Sequence, residues 1–197
     1  MSQVVLINGA PGSGKSTLAR MLVDERPLAL LLDIDSLRGQ LGQWAADPAT
    51  AGLAARALAL AMIRTHVQAG HDVFVPQFLY RSHFVIELER VAQETGSRFV
   101  EIVLVSSREE VAARFAARST SAEPNHRDAA RLQQAPGALP IEALYDAMLA
   151  MVGERPGTVF IESVPGDIAD TFARLKRAIG DPEAPDGETH FQVTRTS

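Results

Sequence analysis

A chain of 197 residues with 46% apolar and 22% charged residues has the composition of a soluble globular protein and enough length to bury a core in one domain. Its net charge of −5 and pI near 5.5 exclude a global attraction to nucleic acid, leaving only a local basic patch as a route to it. No cysteine is present, which excludes disulfides and thiolate catalysis.

The chain runs almost at once into an apolar stretch, Val4-Val5-Leu6-Ile7, which reads as a buried parallel strand and leaves no room for a signal peptide. Gly9-Ala10-Pro11-Gly12-Ser13-Gly14-Lys15-Ser16-Thr17 follows, with the spacing G-x-x-x-x-G-K-S of a phosphate-binding loop. A helix over about 15–25 is predicted from Leu18, Met21 and Leu22, so the loop joins a strand to a helix. The glycines let backbone N–H groups turn toward an anion, and the helix adds unpaired donors and its positive dipole end. Lys15 is expected at the β- and γ-phosphates and the Ser16 hydroxyl on Mg²⁺.

Pro27 ends the helix, and Leu28 to Leu32 reads as a second buried strand ending at Asp33. A short helix from about Asp35 and a longer one over about 49–69 follow. Arg56 and Arg64 interrupt the longer one, so no membrane span and a cytoplasmic location are expected. Further strands are predicted at Asp72–Val75, Arg98–Val105 and Thr158–Ile161. Helices are predicted from Ser82 to about 95, from Ser106 or Ser107 through Arg118, from Pro140, and finally to about Gly180. Residues 119–138 read as a mobile lid and 181–197 as a polar tail, leaving one domain over 1–180. Strands alternating with helices imply a three-layer α/β fold with a five-stranded parallel sheet, whose ligands sit at the carboxyl ends of the strands. That rule nominates Asp33, Gln77, Ser106 and the stretch 162–166.

Two constellations choose among nucleotide-binding functions. In Asp33-Ile34-Asp35-Ser36-Leu37-Arg38, Asp35 and Arg38 fall on one helical face. Such a pair takes a proton from a hydroxyl while the arginine holds the acceptor or the moving phosphate; alternatively it is a capping aspartate beside a surface arginine. Arg114 and Arg118 lie one helical turn apart and lead into 119–138, where Arg127 and Arg131 follow. Arginines brought in by a closing lid neutralise charge on the γ-phosphate; alternatively they are a solvated cationic face.

Taken together, Gly9 to Ser16, Asp35/Arg38 and Arg114/Arg118 resemble P-loop kinases of the polynucleotide-kinase type. That group is similar in layout to zeta toxins, chloramphenicol phosphotransferase, gluconate kinase and shikimate kinase, with an adenylate-kinase-like core and lid. Leu139 to Leu144 also resembles the segment that follows the lid in polynucleotide 5′-kinases, and the similarity spans about 3–152. The resemblance implies that Asp35 is the general base, Arg38 contacts the acceptor or its scissile region, and Arg118 stabilises the transferring phosphoryl group. It further implies a metal-side role for Asp33 and places the loop containing Pro165 against adenine, with Arg114 on its other face.

One departure concerns the third strand, where polynucleotide kinases of this type carry an aspartate after the apolar run. Here Val75-Pro76-Gln77-Phe78 stands instead. Gln77 cannot neutralise Mg²⁺, so either Asp33 supplies the charge, or metal binding is weak, or catalysis is impaired. Phe78, Leu79, Tyr80 and Trp44 are expected to wall an acceptor pocket or else to pack in the core. The expected activity is ATP- and Mg²⁺-dependent transfer of the γ-phosphate to a hydroxyl of a small molecule, by a monomer or homodimer. The alternatives are a polynucleotide 5′-hydroxyl kinase, less favoured by the acidic charge, and a regulatory nucleotide-binding module without catalysis.

Overall fold

A computed structural model describes residues 1–119, 139–164 and 166–180, with the side chains of Arg118 and Ser119 outside the description. The expected lid segment and tail therefore lie outside the described residues, apart from the backbone of Ser119, and Pro165 lies outside them too. Five strands are present: β1 (Gln3–Gly9), β2 (Leu30–Leu31), β3 (Val73–Gln77), β4 (Arg98–Val105) and β5 (Val159–Glu162). They form one all-parallel sheet in the order β2-β3-β1-β4-β5. Seven α-helices are described: α1 (Lys15–Asp24), α2 (Ile34–Gly39), α3 (Pro48–Gln68), α4 (Ser82–Glu94), α5 (Arg108–Ser119), α6 (Ile141–Gly153) and α7 (Ile168–Ala178).

The alternation of side chains along β1 divides the core. Val4 and Leu6 face a layer built with α3 and α4, through Ala55, Ala59, Ile63, Phe84 and Leu88. Val5 and Ile7 face the opposite layer with α1 and α7, through Leu18, Leu22, Leu175 and Ile179. All four of these β1 residues are fully buried, as befits the central strand of a parallel sheet. A third cluster joins Val103, Val111, Ile141, Tyr145 and Met148, and so seats α5 and α6 beyond the carboxyl end of β4.

The second strand is much shorter than its apolar run suggests. Leu28 has φ 58° and is 70% exposed, and its carbonyl oxygen lies 2.7 Å from His66 Nε2. Only Leu30 and Leu31 pair with Val73 and Phe74, because the chain leaving α1 must first turn back to reach the sheet edge. α4 begins at Ser82 as expected, and the cap position falls to Arg81, whose side chain makes no capping bond. Ser107 does cap α5. Its Oγ accepts from Glu110 N–H (3.2 Å), and the Glu110 carboxylate accepts from Ser107 N–H (3.1 Å), a reciprocal capping box.

Candidate active site

The loop from Gly9 to Ser16 leaves the carboxyl end of β1 and enters α1 at Lys15. Its close packing explains the first glycine. A β-carbon on Gly9 would stand 2.7 Å from Ser13 Oγ and 3.1 Å from the Leu104 carbonyl oxygen. Gly14 adopts φ 86° as the residue preceding α1, a left-handed conformation that costs glycine little. Lys15 is 9% exposed and its Nζ donates to the Ala10 carbonyl oxygen at 3.1 Å, folded back over the loop. The Ser16 and Thr17 side chains are exposed.

Asn8, fully buried at the end of β1, ties this loop to the next strand connection. Its Nδ2 donates to the Leu79 carbonyl oxygen (3.0 Å), and its Oδ1 accepts from Leu79 N–H (2.9 Å) and Gly9 N–H (2.8 Å). Sequence reading passed over it. Its place immediately before the loop, at a strand's carboxyl end, was the available signal.

Two clefts meet at the loop. One of about 390 Å³ is lined by Gly12, Gly14, Lys15, Ser16, Thr17, Arg114 and Ala117. The other, about 290 Å³, shares Gly12, Gly14, Thr17 and Arg114 and reaches Ser163, Val164, Gly166 and Ile168. Arg114 thus borders both. It is held there by polar contacts on two elements, its Nη2 donating to the Ser163 carbonyl oxygen (3.0 Å) and its Nη1 to Ser106 Oγ (3.2 Å). Ser163 Oγ in turn donates to the Ser13 carbonyl oxygen at 3.0 Å, linking the β5 exit to the phosphate loop. Tyr145 secures Ser106 from below: its hydroxyl donates to the Ser106 carbonyl oxygen (2.7 Å) and accepts from Ser106 N–H (3.0 Å). Arg118 follows Arg114 by one turn of α5, with its side chain outside the described residues.

Across β1, the second constellation assembles at the ends of β2 and β3. Asp33 is the N-cap of α2: Oδ1 accepts from the N–H groups of Asp35 (2.9 Å) and Ser36 (3.2 Å), and Oδ2 accepts from Ser36 Oγ (3.0 Å). This capping frees Asp35 for another task. The Asp35 carboxylate is about half exposed and is gripped from two directions, by Arg38 Nη1 on Oδ1 (3.3 Å) and by Gln77 Nε2 on Oδ2 (3.3 Å). The Arg38 guanidinium also lies over the Trp44 ring, 4.8 Å from its centroid. Gln77 pairs with Asn8 in the β1–β3 register, which brings Asp35 beside the start of the phosphate loop. Gln77 therefore does more than fill the place of an absent carboxylate; its amide orients the neighbouring aspartate. The Phe78 and Tyr80 rings meet tilted, 5.9 Å between centroids, and pack partly against the α5–α6 cluster, while Leu79 is buried in the α3–α4 layer.

Of the side chains expected to serve a magnesium ion, the Ser16 hydroxyl is exposed, whereas both oxygens of Asp33 already accept hydrogen bonds in capping α2. Among the described residues no group of three or more His, Cys, Asp or Glu side chains could hold a metal by itself. No helix among the described residues is long and apolar enough to cross a membrane.

The fold is shared widely. The chain is similar to the APS kinase of Mycobacterium tuberculosis solved with AMPPNP and APS, at 20% identity and TM-score 0.61, over 90% of this chain and 97% of that one. The tunicamycin resistance protein of Deinococcus radiodurans matches at 15% identity and TM-score 0.59, covering 94% and 99%. A gluconokinase from Sinorhizobium meliloti matches at 16% identity and TM-score 0.51, covering 90% and 95%. At such identities the likeness is one of fold, that of P-loop kinases. No curated protein matches by sequence. The sequence model of an AAA domain, AAA_33, matches residues 4–139, from β1 to just before α6, and the chain therefore belongs to that family of P-loop domains.

Proposed function

We propose that this protein is an ATP- and Mg²⁺-dependent phosphotransferase whose acceptor is a hydroxyl of a small molecule. The observation that carries the reading is the Asp35 carboxylate, held between Arg38 and Gln77 beside the phosphate loop. A carboxylate so oriented beside a phosphate loop meets the positional need of a general base.

In this reading the loop amides and Lys15 hold the β- and γ-phosphates, Lys15 leaving the Ala10 carbonyl to do so. Arg114 and the loop through Pro165 border the base, with the exposed apolar side chains of Val164 and Ile168 available to its faces. Ser16 holds the magnesium, with Asp33 on the strand-two side. A magnesium ion held there would supply charge neutralisation for the phosphates. Asp35 accepts the proton of the acceptor hydroxyl as its oxygen forms a bond to the γ-phosphorus. The bond from that phosphorus to the bridging oxygen breaks, and ADP leaves with the electron pair. Arg38 orients the acceptor, and Arg118 meets the charge that gathers on the transferring group.

The test is label transfer from γ-labelled ATP to sugars, nucleosides and antibiotics in one set and to 5′-hydroxyl oligonucleotides in another. Label is expected in the first set, with Asp35→Ala lowering its rate about 10²–10⁴-fold while nucleotide still binds. Label confined to oligonucleotides would make the protein a polynucleotide kinase. Nucleotide binding with no transfer, unchanged by Asp35→Ala, would favour a regulatory module.

A further inference from the structure

A helix laid against one face of a sheet needs apolar residues on its inner side only. α3 carries them on both. Its inner side buries Ala55, Ala59 and Ile63 in the layer shared with α4. On its outer side Leu53 is 66%, Leu58 45% and Met62 40% exposed. Both arginines of the helix turn away from that outer strip toward α4. The Arg56 guanidinium lies 5.6 Å from the centroid of the Phe84 ring, and Arg64 Nη2 donates to the Glu94 carboxylate.

The strip repeats its own chemistry when reversed end for end about the midpoint between Ala57 and Leu58. Leu53 then changes places with Met62, Ala54 with Ala61, and Thr50 with Thr65, all of them exposed. A second α3 laid antiparallel on the first thus meets threonine at the level of threonine and apolar side chains at every level between. Two copies related by a two-fold axis require such a self-complementary surface, whereas an unrelated partner does not. Each chain carries a net charge of −5, so an uncharged strip is also where two copies meet with least repulsion. The strip offers about 500 Å² per copy, so a pair buries about 1,000 Å² in all, the lower end of specific interfaces.

We propose that α3 is the contact between two copies of this chain, antiparallel about a two-fold axis beside Ala57 and Leu58, with Leu58 against the partner's Leu58. The proposal is independent of the kinase reading. Among the described residues none from α3 lines either cleft at the phosphate loop, so both clefts stay open in the pair.

The test is sedimentation equilibrium of the full chain at concentrations spanning the micromolar range. A reversible dimer of twice the 21.2 kDa chain mass is expected, with a dissociation constant about micromolar. Leu58→Asp sets two like charges together at the axis and should weaken the dimer about 100-fold or more, with AMPPNP binding kept as the sign of a folded chain. The chain has no cysteine, so single reporter thiols are unambiguous. Ala57→Cys, beside the axis, should oxidise to a cross-linked dimer. Met62→Cys should not, because its copy lies about 13 Å away along the helix. A chain monomeric at every concentration overturns the proposal and leaves the strip to residues 181–197 or to another protein. A dimer that tolerates Leu58→Asp overturns it as well, since its contact lies elsewhere. Cross-linking through Met62→Cys as readily as through Ala57→Cys would mean parallel helices and sink the two-fold arrangement.

Discussion

Gly9 shows how little freedom the phosphate loop has. Its missing β-carbon would collide with the side chain of Ser13 and the backbone of Leu104, and backbone cannot step aside cheaply. Gly9→Ala should therefore cost about 1–3 kcal/mol of stability and abolish nucleotide binding, measured by urea unfolding and by AMPPNP titration. Retained affinity would mean that the loop is looser than its packing. This residue was legible in advance, because backbone chemistry dictates glycine, lysine and serine at fixed intervals. Arg38 was legible beside Asp35 too, but the second partner of that aspartate was not. Gln77 lies 42 positions further along the chain, and no local spacing announces a contact made by two strand ends meeting in space. Asn8 escaped for a different reason: one asparagine beside a glycine-rich loop is indistinguishable from a turn residue until Leu79 is seen beneath it.

At the scale of elements, apolar periodicity was a sound guide to the helices and central strands, whose burial is their reason to form. It overreached at the sheet edge. Five apolar residues from Leu28 to Leu32 look like a buried strand, yet geometry at the end of α1 spends the first two on a turn. Pro140 and the likeness of Leu139 to Leu144 to a segment after a lid announced α6, but its use only emerges through Tyr145. That hydroxyl satisfies both backbone groups of Ser106, whose Oγ accepts from Arg114. Tyr145→Phe is expected to destabilise the protein by about 1–2 kcal/mol and to weaken AMPPNP binding about three- to tenfold. An unchanged dissociation constant would show that Arg114 keeps its place without this support.

At the scale of the whole molecule, the part of the sheet remote from the candidate site carries its own polar staple. Glu101, 3% exposed within β4, accepts from Arg155 Nε (2.6 Å) and Thr158 Oγ1 (3.1 Å), and Arg155 also reaches Glu89 (3.0 Å). Burial alone would lower the Arg155 pKa, but its hydrogen bonds to Glu101 and Glu89 outweigh that and raise it. Arg155→Met strands a buried carboxylate and should cost about 3 kcal/mol in urea unfolding. Adding Glu101→Gln should restore most of that loss, and failure to do so would assign the cost to lost packing.

The strand order has a consequence for evolution and kinetics. Arg114 and Ser163 stand on the β4–β5 flank of β1, whereas Asp35, Arg38 and Gln77 stand on the β2–β3 flank. On the proposed reading each substrate has its own wing of the sheet, and among the described residues neither set of contacts borrows from the other. Changes on the two wings should then be independent: Arg38→Ala and Arg114→Ala should combine to within about 0.5 kcal/mol of additivity in kcat/KM. Such a molecule can exchange its diet by rewriting one wing while the fuel line on the other runs undisturbed.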